Sequence, residues 1–216
     1  MRKSIYSLIL GFVAIVAATF IQAEQANPQV LFKTEKGDIL VVLYPQAAPV
    51  SVDNFVKHVN GFHYDGLIFH RVINNFMIQT GGFTWDLTNR PSSRPMIVNE
   101  GGNGLKNKRG SLAMARMNDP NSAQAQFFIN HKYNKFLDAK ANKAGYAVFG
   151  KVISGMNVVD AIAGVETTSK KGYQNVPVEP IRILSARLMN PEAWTPLPEL
   201  KPQAEELEFE RPVPIR

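Results

Sequence analysis

Cysteine is absent from the 216-residue sequence, which excludes disulfides, thiol nucleophiles and thiolate metal sites. Core packing must therefore hold the fold together, and a chain of this length can bury a sizeable core. Histidine is scarce, and the four histidines lack the i, i+4 spacing of a zinc protease. The glycines of residues 101–104 are not followed by Lys-Ser or Lys-Thr, and Gly-x-Ser-x-Gly does not occur. The sequence thus indicates neither a phosphate-binding loop nor a hydrolase nucleophile.

Charge is absent from residues 4–23, which follow the basic pair Arg2-Lys3. A positive start, an apolar stretch and a small residue at its end are typical of a secretory signal. We therefore predict a signal peptide over residues 1–23, cleaved after Ala23. The apolar stretch approaches the length of a membrane span, so an uncleaved anchor is the alternative. With cleavage, the sequence predicts a periplasmic protein without stable membrane insertion.

The two signs of charge are unevenly distributed in the chain, whose formal net charge is +6. Lysines are scattered through the predicted loops of residues 24–189, which indicates a solvated surface rather than a nucleic-acid site. Glutamates alternate with prolines over residues 190–216, where apolar residues are few. This composition predicts an extended, disordered tail, and leaves open a role as a docking peptide or spacer.

Short apolar runs, separated by glycine, asparagine, aspartate and proline, predict a domain built mainly of β-strands. Residues 30–44 are predicted to form a hairpin, and residues 181–188 the last strand. Apolar residues at helical spacing predict two helices, over about 50–60 and 156–163. Many short strands with two helices indicate a closed antiparallel barrel whose open ends the helices cover.

One arginine, Arg71, stands inside an otherwise apolar strand. Strand alternation places it on the same face as Phe69 and Ile73, with His70 on the other face. Spacing alone leaves two interpretations open for Arg71, a rim residue that snorkels from the barrel edge or a functional cation. His70 is interpreted as a hydrogen-bonded structural histidine.

Five sequence blocks occur in a fixed order between residues 28 and 189. They are Phe69-His70-Arg71, Phe76-Met77-Ile78-Gln79-Thr80-Gly81-Gly82, Gly110-Ser111-Leu112-Ala113-Met114-Ala115, Ala125-Gln126-Phe127-Phe128-Ile129 and Val148-Phe149-Gly150-Lys151-Val152. Together they resemble the cyclophilin family of peptidyl-prolyl cis–trans isomerases, and in particular its periplasmic bacterial members. The resemblance implies a mainly β fold over residues 24–189, a closed eight-stranded antiparallel barrel capped by two α-helices. It also implies an enzyme that acts on proline-containing polypeptides without a metal or other cofactor, and we expect a monomer.

The resemblance further implies an active site in a groove on the outer surface. Arg71 matches the catalytic arginine, and Gln79 matches the residue that helps to orient it. The matches to substrate-binding positions are Phe76, Met77, Phe128 and Leu137 in the proline pocket, and Ala115, Gln126, Phe136 and Tyr146 along the groove. Phe136 and Tyr146 replace a tryptophan and a histidine of the best-known eukaryotic members. The aromatic wall is kept, but the indole N–H is lost, so we expect weak inhibition by cyclosporin.

Two other functions are compatible with parts of this pattern. A non-catalytic holdase or scaffold would recognise proline-containing segments without turnover, and a lipocalin-type barrel would hold a small ligand inside. The intact arginine position and pocket residues favour an isomerase that assists the folding of exported proteins. Large residues on both faces of several strands favour a filled barrel interior over a ligand cavity.

Overall fold

A computed structural model describes residues 26–198. The first two strands, β1 (Gln29–Thr34) and β2 (Gly37–Leu43), form the predicted hairpin, with Thr34 paired to Gly37 at its turn. Gly37 has a φ of +124°, a conformation that L side chains rarely adopt, so glycine suits this turn. Alternate residues of β1 and β2 are buried, as the period-two pattern predicts.

Helix α1 (Pro49–Asn60) and helix α2 (Met156–Ala163) agree with the predicted helices. Pro49 stands in the first turn of α1, where its missing N–H costs nothing. The carboxylate of Glu100 accepts hydrogen bonds from the free N–H groups of Val50 and Ser51, at 3.0 and 2.7 Å. This contact satisfies two of the donors that a helix N-terminus leaves unpaired.

Eight of the strands form one antiparallel sheet, in the order β10-β1-β2-β7-β5-β6-β4-β3, and β8 and β9 form a separate hairpin. The further strands are β3 (Arg71–Ile73), β4 (Met77–Thr80), β5 (Ser111–Met114), β6 (Phe127–Asn130), β7 (Val148–Ser154), β8 (Thr167–Lys170), β9 (Tyr173–Pro177) and β10 (Ile183–Leu188). The prediction of a mainly β fold with eight antiparallel strands and two helices is therefore confirmed.

The predicted closure of the barrel is overstated, because the two edge strands β10 and β3 do not form a ladder with each other. The gap is bridged by the residues just before β3, where Phe69 N donates to Ile181 O and Ile183 N to Leu67 O. Their distances are 3.0 and 2.8 Å, and one isolated bridge joins Ile68 to Arg182. The sheet is thus strongly curled, and short backbone contacts join its edges.

Aromatic rings fill the interior of the curled sheet. Phe55 of α1 lies 5.1–5.4 Å, between ring centroids, from the rings of Tyr64, Phe127 and Phe149. All four side chains are almost completely buried. Offset and edge-to-face ring contacts of this kind add stability beyond the area that they bury. The large interior residues that argued against a ligand barrel are therefore packed together in the core.

The chain continues to pack on the domain after β10, although the sequence predicts disorder from Asn190. The Asn190 side chain accepts a hydrogen bond from Gln29 N at 2.7 Å, and residues 191–193 form a 3₁₀ turn. Trp194 packs against the main core, and Leu197 N donates to Asp53 of α1 at 2.9 Å. Packing thus extends past the predicted domain boundary. Residues 199–216 of the predicted tail lie outside the described residues.

The predicted signal peptide, residues 1–23, also lies outside the described residues. Over residues 26–198, no helix combines the length and apolar character needed to cross a bilayer.

Candidate active site

The Arg71 side chain contacts one amide, that of Gln79, which is supported in turn by a second amide, that of Gln126. Arg71 of β3 pairs with Gln79 of β4, and its guanidinium donates to Gln79 Oε1 at 3.5 Å. Gln79 Nε2 donates in turn to Gln126 Oε1 at 3.0 Å. Burial lowers the pKa of the half-buried Arg71 guanidinium, but an arginine in a protein stays protonated. The arrangement presents a fixed cation with donors that remain available to a ligand.

A small cavity of about 130 Å³, with polar and apolar walls, opens beside this guanidinium. Met77, Phe128 and Leu137 are buried in a cluster that is separate from the main core and form its floor. The complete lining is Arg71, Phe76, Met77, Gln79, Ala115, Arg116, Phe128, Leu137 and Tyr146. The cavity joins charged donors, Arg71 and Arg116, to an apolar wall, a combination suited to an apolar ring beside acceptor atoms.

The ends of this cavity are aromatic. Phe76 stacks on Phe136 with ring centroids 5.6 Å apart, and Tyr146 meets Phe128 edge to face at 5.7 Å. Phe136 is 55% exposed and supports Phe76 from outside, so it stands at the rim and not in the lining. The predicted residues Phe76, Met77, Ala115, Phe128, Leu137 and Tyr146 are in the lining, whereas Gln126 is not.

Arg116 lines the cavity as well, although the sequence analysis does not assign it to the site. Its guanidinium carbon lies 4.6 Å from the centre of the Tyr146 ring, and it donates to Gly145 O at 3.2–3.3 Å. It directly follows Ala115, a predicted groove residue. Its position next to Ala115 was the one feature of the sequence that could have indicated a role in the site. An arginine directly after a strand is, however, usually a solvated side chain.

Two larger cavities adjoin the small one and share Gln79 and Gln126 with each other. The first, of about 330 Å³, lies between residues 89–92 and residues 115–126. The second, of about 430 Å³, lies under the β8–β9 hairpin and is lined by His70. Burial, together with the charge of Arg71, lowers the pKa of His70 to about 4, so the imidazole is neutral near pH 7. Gln126, a predicted groove residue, thus lies between these cavities and contacts the small one through Gln79.

The interpretation of His70 as a hydrogen-bonded structural residue is only partly met. The side chain is buried, and its ring lies 4.7 Å from that of Phe83. Its Nδ1 atom, however, has no hydrogen-bond partner among the described residues.

Comparison with known proteins identifies the family in which this arrangement of residues occurs. The family model described as "Cyclophilin type peptidyl-prolyl cis-trans isomerase/CLD" matches residues 29–188. The chain belongs to the cyclophilin family. Its described core, with the arginine and the cavity on the outer face of the sheet, falls within the matched residues.

Bacterial cyclophilins are similar over most of their length. The chain is 48% identical to a peptidyl-prolyl cis–trans isomerase of Acinetobacter baylyi, over 84% of this chain and 94% of that protein. It is 45% identical to peptidyl-prolyl cis–trans isomerase A of Dickeya dadantii, over 88% of this chain and 99% of that protein. A crystal structure of a cyclophilin from Cryptosporidium parvum aligns with a TM-score of 0.62 at 26% identity, over 75% of this chain and 97% of that one. The protein is a peptidyl-prolyl cis–trans isomerase.

Proposed function

We propose that Arg71 catalyses X–Pro rotation by donating a hydrogen bond to the proline nitrogen. Rotation breaks amide resonance, with a barrier of about 18–20 kcal/mol, but makes no new covalent bond. The nitrogen becomes an acceptor only in the twisted transition state, so a donor aimed at it stabilises that state selectively. The support is the position of the guanidinium, which borders the cavity and is held there by Gln79.

Arg71 cannot supply the whole effect. A hydrogen bond to a charged group contributes about 1.5–3 kcal/mol, whereas a millionfold acceleration requires about 8 kcal/mol. We assign the remainder to the cavity, which would hold the ring while the preceding carbonyl rotates. Its apolar walls are Phe76, Met77, Phe128 and Leu137. Removal of water from that cavity would also strengthen the arginine contact.

The first experiment compares the mature domain with its Arg71→Ala variant, following cis-to-trans exchange of an Ala-Pro peptide. We expect kcat/KM to fall about tenfold or more in the variant. Arg187→Ala is the control, since Arg187 is an exposed arginine paired with Asp65 at 2.8 Å. Peptide binding without acceleration by either form would instead support the proline-recognising holdase.

We also propose that the substrates are exported polypeptides in the periplasm. The support is the apolar, uncharged stretch of residues 4–23 after Arg2-Lys3, which has the pattern of a secretory signal. Residues 1–30 fused to a phosphatase that needs disulfides should give activity outside the cytoplasm, and Leu10→Arg should abolish it. Mass spectrometry of the native protein should find Glu24 at its N-terminus. A retained Met1 would favour the membrane anchor.

A further inference from the structure

The β3–β4 turn, which carries Phe76 into the cavity, is held from outside by His131. His131 N donates to Phe76 O at 2.9 Å, and the buried Asn134 side chain donates to the same oxygen at 2.8 Å. Asn75, which has a φ of +55°, donates its N–H to His131 Nδ1 at 3.0 Å. Three hydrogen bonds therefore determine where the backbone of this turn lies, and the ring of Phe76 follows from it.

The contacts at the two ring nitrogens of His131 together determine its tautomer. Because Nδ1 accepts the Asn75 N–H, the ring proton must be on Nε2, which lies 2.9 Å from Asp160 Oδ1. Arg109 donates to both oxygens of Asp160 at 2.7 and 2.8 Å, and to His131 O at 2.7 Å. Hydrogen bonds from Arg109 lower the pKa of the Asp160 carboxyl, so it stays ionised and selects the Nε2–H form.

We propose that His131 is a positioning residue of the isomerase, whose Nδ1 sets the Asn75–Phe76 turn so that the Phe76 ring stands as a wall of the proline cavity. Asp160 and Arg109 hold the imidazole in the tautomer that this contact requires. The inference rests on the pocket role proposed above for Phe76.

The geometry explains how His131 acts at a distance. Its side chain is only 12% exposed and lies behind the turn, whereas Phe76 itself lines the cavity. The Phe76 ring lies 5.9 Å from the guanidinium carbon of Arg71 and also contacts Phe136. A small shift of the turn would therefore change both the width of the cavity and the surroundings of the arginine. Misplacement by about 1 Å is enough to cost an enzyme much of its rate.

Two substitutions separate the two contacts of the imidazole. His131→Asn places an amide oxygen where Nδ1 was, and so keeps an acceptor for Asn75 N–H while losing the contact with Asp160. His131→Gln reaches further, and so keeps a donor for Asp160 while losing the acceptor for Asn75. We expect kcat/KM for an Ala-Pro peptide to fall about fivefold to tenfold in His131→Gln. In His131→Asn we expect most of the parent value.

Melting temperatures and amide exchange complete the test. The two variants should melt within a few degrees of each other, and the Asn75 amide should exchange faster only in His131→Gln. The proposal would be overturned if both variants lost kcat/KM equally and their melting temperatures fell equally. His131 would then be a structural residue only. Retained activity in His131→Gln would overturn it too. The exchange of Asn75 is measured without substrate, so it tests the contact even if the parent protein fails to isomerise peptides.

Discussion

At the scale of single residues, the direction of Arg71 depends on a short chain of amides. Gln79 accepts from the guanidinium and donates to Gln126, whose side chain lies against the Cα of Gly82. A Cβ at Gly82 would come within 2.6 Å of Gln126 Cδ. Glycine at this position therefore leaves the space in which Gln126 supports Gln79.

Gly82→Ala should consequently reduce activity without unfolding the protein. The added methyl group displaces the flexible Gln126 side chain, which breaks its hydrogen bond to Gln79 and releases Arg71. We expect kcat/KM to fall about fivefold, corresponding to one neutral hydrogen bond of about 1 kcal/mol. The free energy of unfolding, measured in urea, should fall by no more than about 1 kcal/mol, the contribution of that hydrogen bond, so the domain stays folded.

Gly102→Ala is the matched control, because an added Cβ there meets no atom within 4 Å. Unchanged kcat/KM in Gly82→Ala would show that the amide chain does not direct Arg71.

The residues that line the site could largely be predicted from the sequence, whereas the hydrogen bonds and ring contacts that position them could not. The sequence blocks that resemble the cyclophilin family contain Arg71, Gln79 and most of the pocket walls, and the structure brings these side chains together around one cavity. His131 has no such signal, since a single histidine after a strand fits many roles. The position of Phe136 at the rim depends on its stacking against Phe76, which spacing does not encode. Weak inhibition by cyclosporin stays a prediction.

At the scale of elements, periodicity predicted those segments that bury one face. Helix α2 has the predicted bounds, and β1 and β2, which bury alternate residues, form the predicted hairpin. Strands β5 and β6 are buried at every position, so apolar character rather than alternation marks them. The hairpin of β8 and β9 was missed, because its first strand, Thr167–Lys170, has no fully buried residue and thus no apolar alternation. The apolar run at residues 96–98 is a converse case, since its composition predicts a short strand but it makes only one bridge, from Ile97 to Ala123.

The described part of the segment after β10 packs on the domain through a contact that amino-acid composition does not reveal. One tryptophan, Trp194, attaches this proline-rich segment to the core. Trp194→Ala should therefore destabilise the domain, by about 2 kcal/mol for loss of a half-buried aromatic side chain. Urea denaturation followed by circular dichroism measures the change.

The chain contains a second tryptophan, Trp85, which serves as the control because it is 65% exposed. Trp85→Ala should leave the free energy of unfolding within about 0.5 kcal/mol of the parent value. Equal stability of the two variants would mean that the segment after β10 does not support the domain.

At the scale of the whole molecule, the interior and the active site are kept apart. Rings around Phe55 fill the inside of the curled sheet, while the three cavities adjoin one another on its outer face. An outer groove is accessible to a long polypeptide in a way that a barrel interior is not. This separation suits a catalyst whose substrate is a segment of another protein chain.

The same packing makes the stability of the molecule sensitive to mild acid. Burial lowers the pKa of both His58 and His70 from 6.5 to about 4. In the unfolded chain these side chains bind protons near pH 6.5, whereas in the folded state they resist protonation until about pH 4. Stability is therefore highest above pH 6.5 and declines as the pH falls towards 4. Carboxyl groups such as Asp65, whose pKa is lowered, titrate mostly below this window.

We expect the free energy of unfolding to decrease by about 2 kcal/mol for each of the two histidines between about pH 7 and about pH 5. Urea denaturation at a series of pH values measures this slope. His58→Gln should reduce this slope without abolishing it. His70 still titrates in the variant, and so does His63, whose pKa burial also lowers and whose ring lies 4.9 Å from that of His58. A stability that stays constant down to about pH 5 would mean that the buried imidazoles reach water and titrate as they do in the unfolded chain. A decrease that persists in full in His58→Gln would assign the acid sensitivity to other groups, since a neutral amide at this position has no proton to gain.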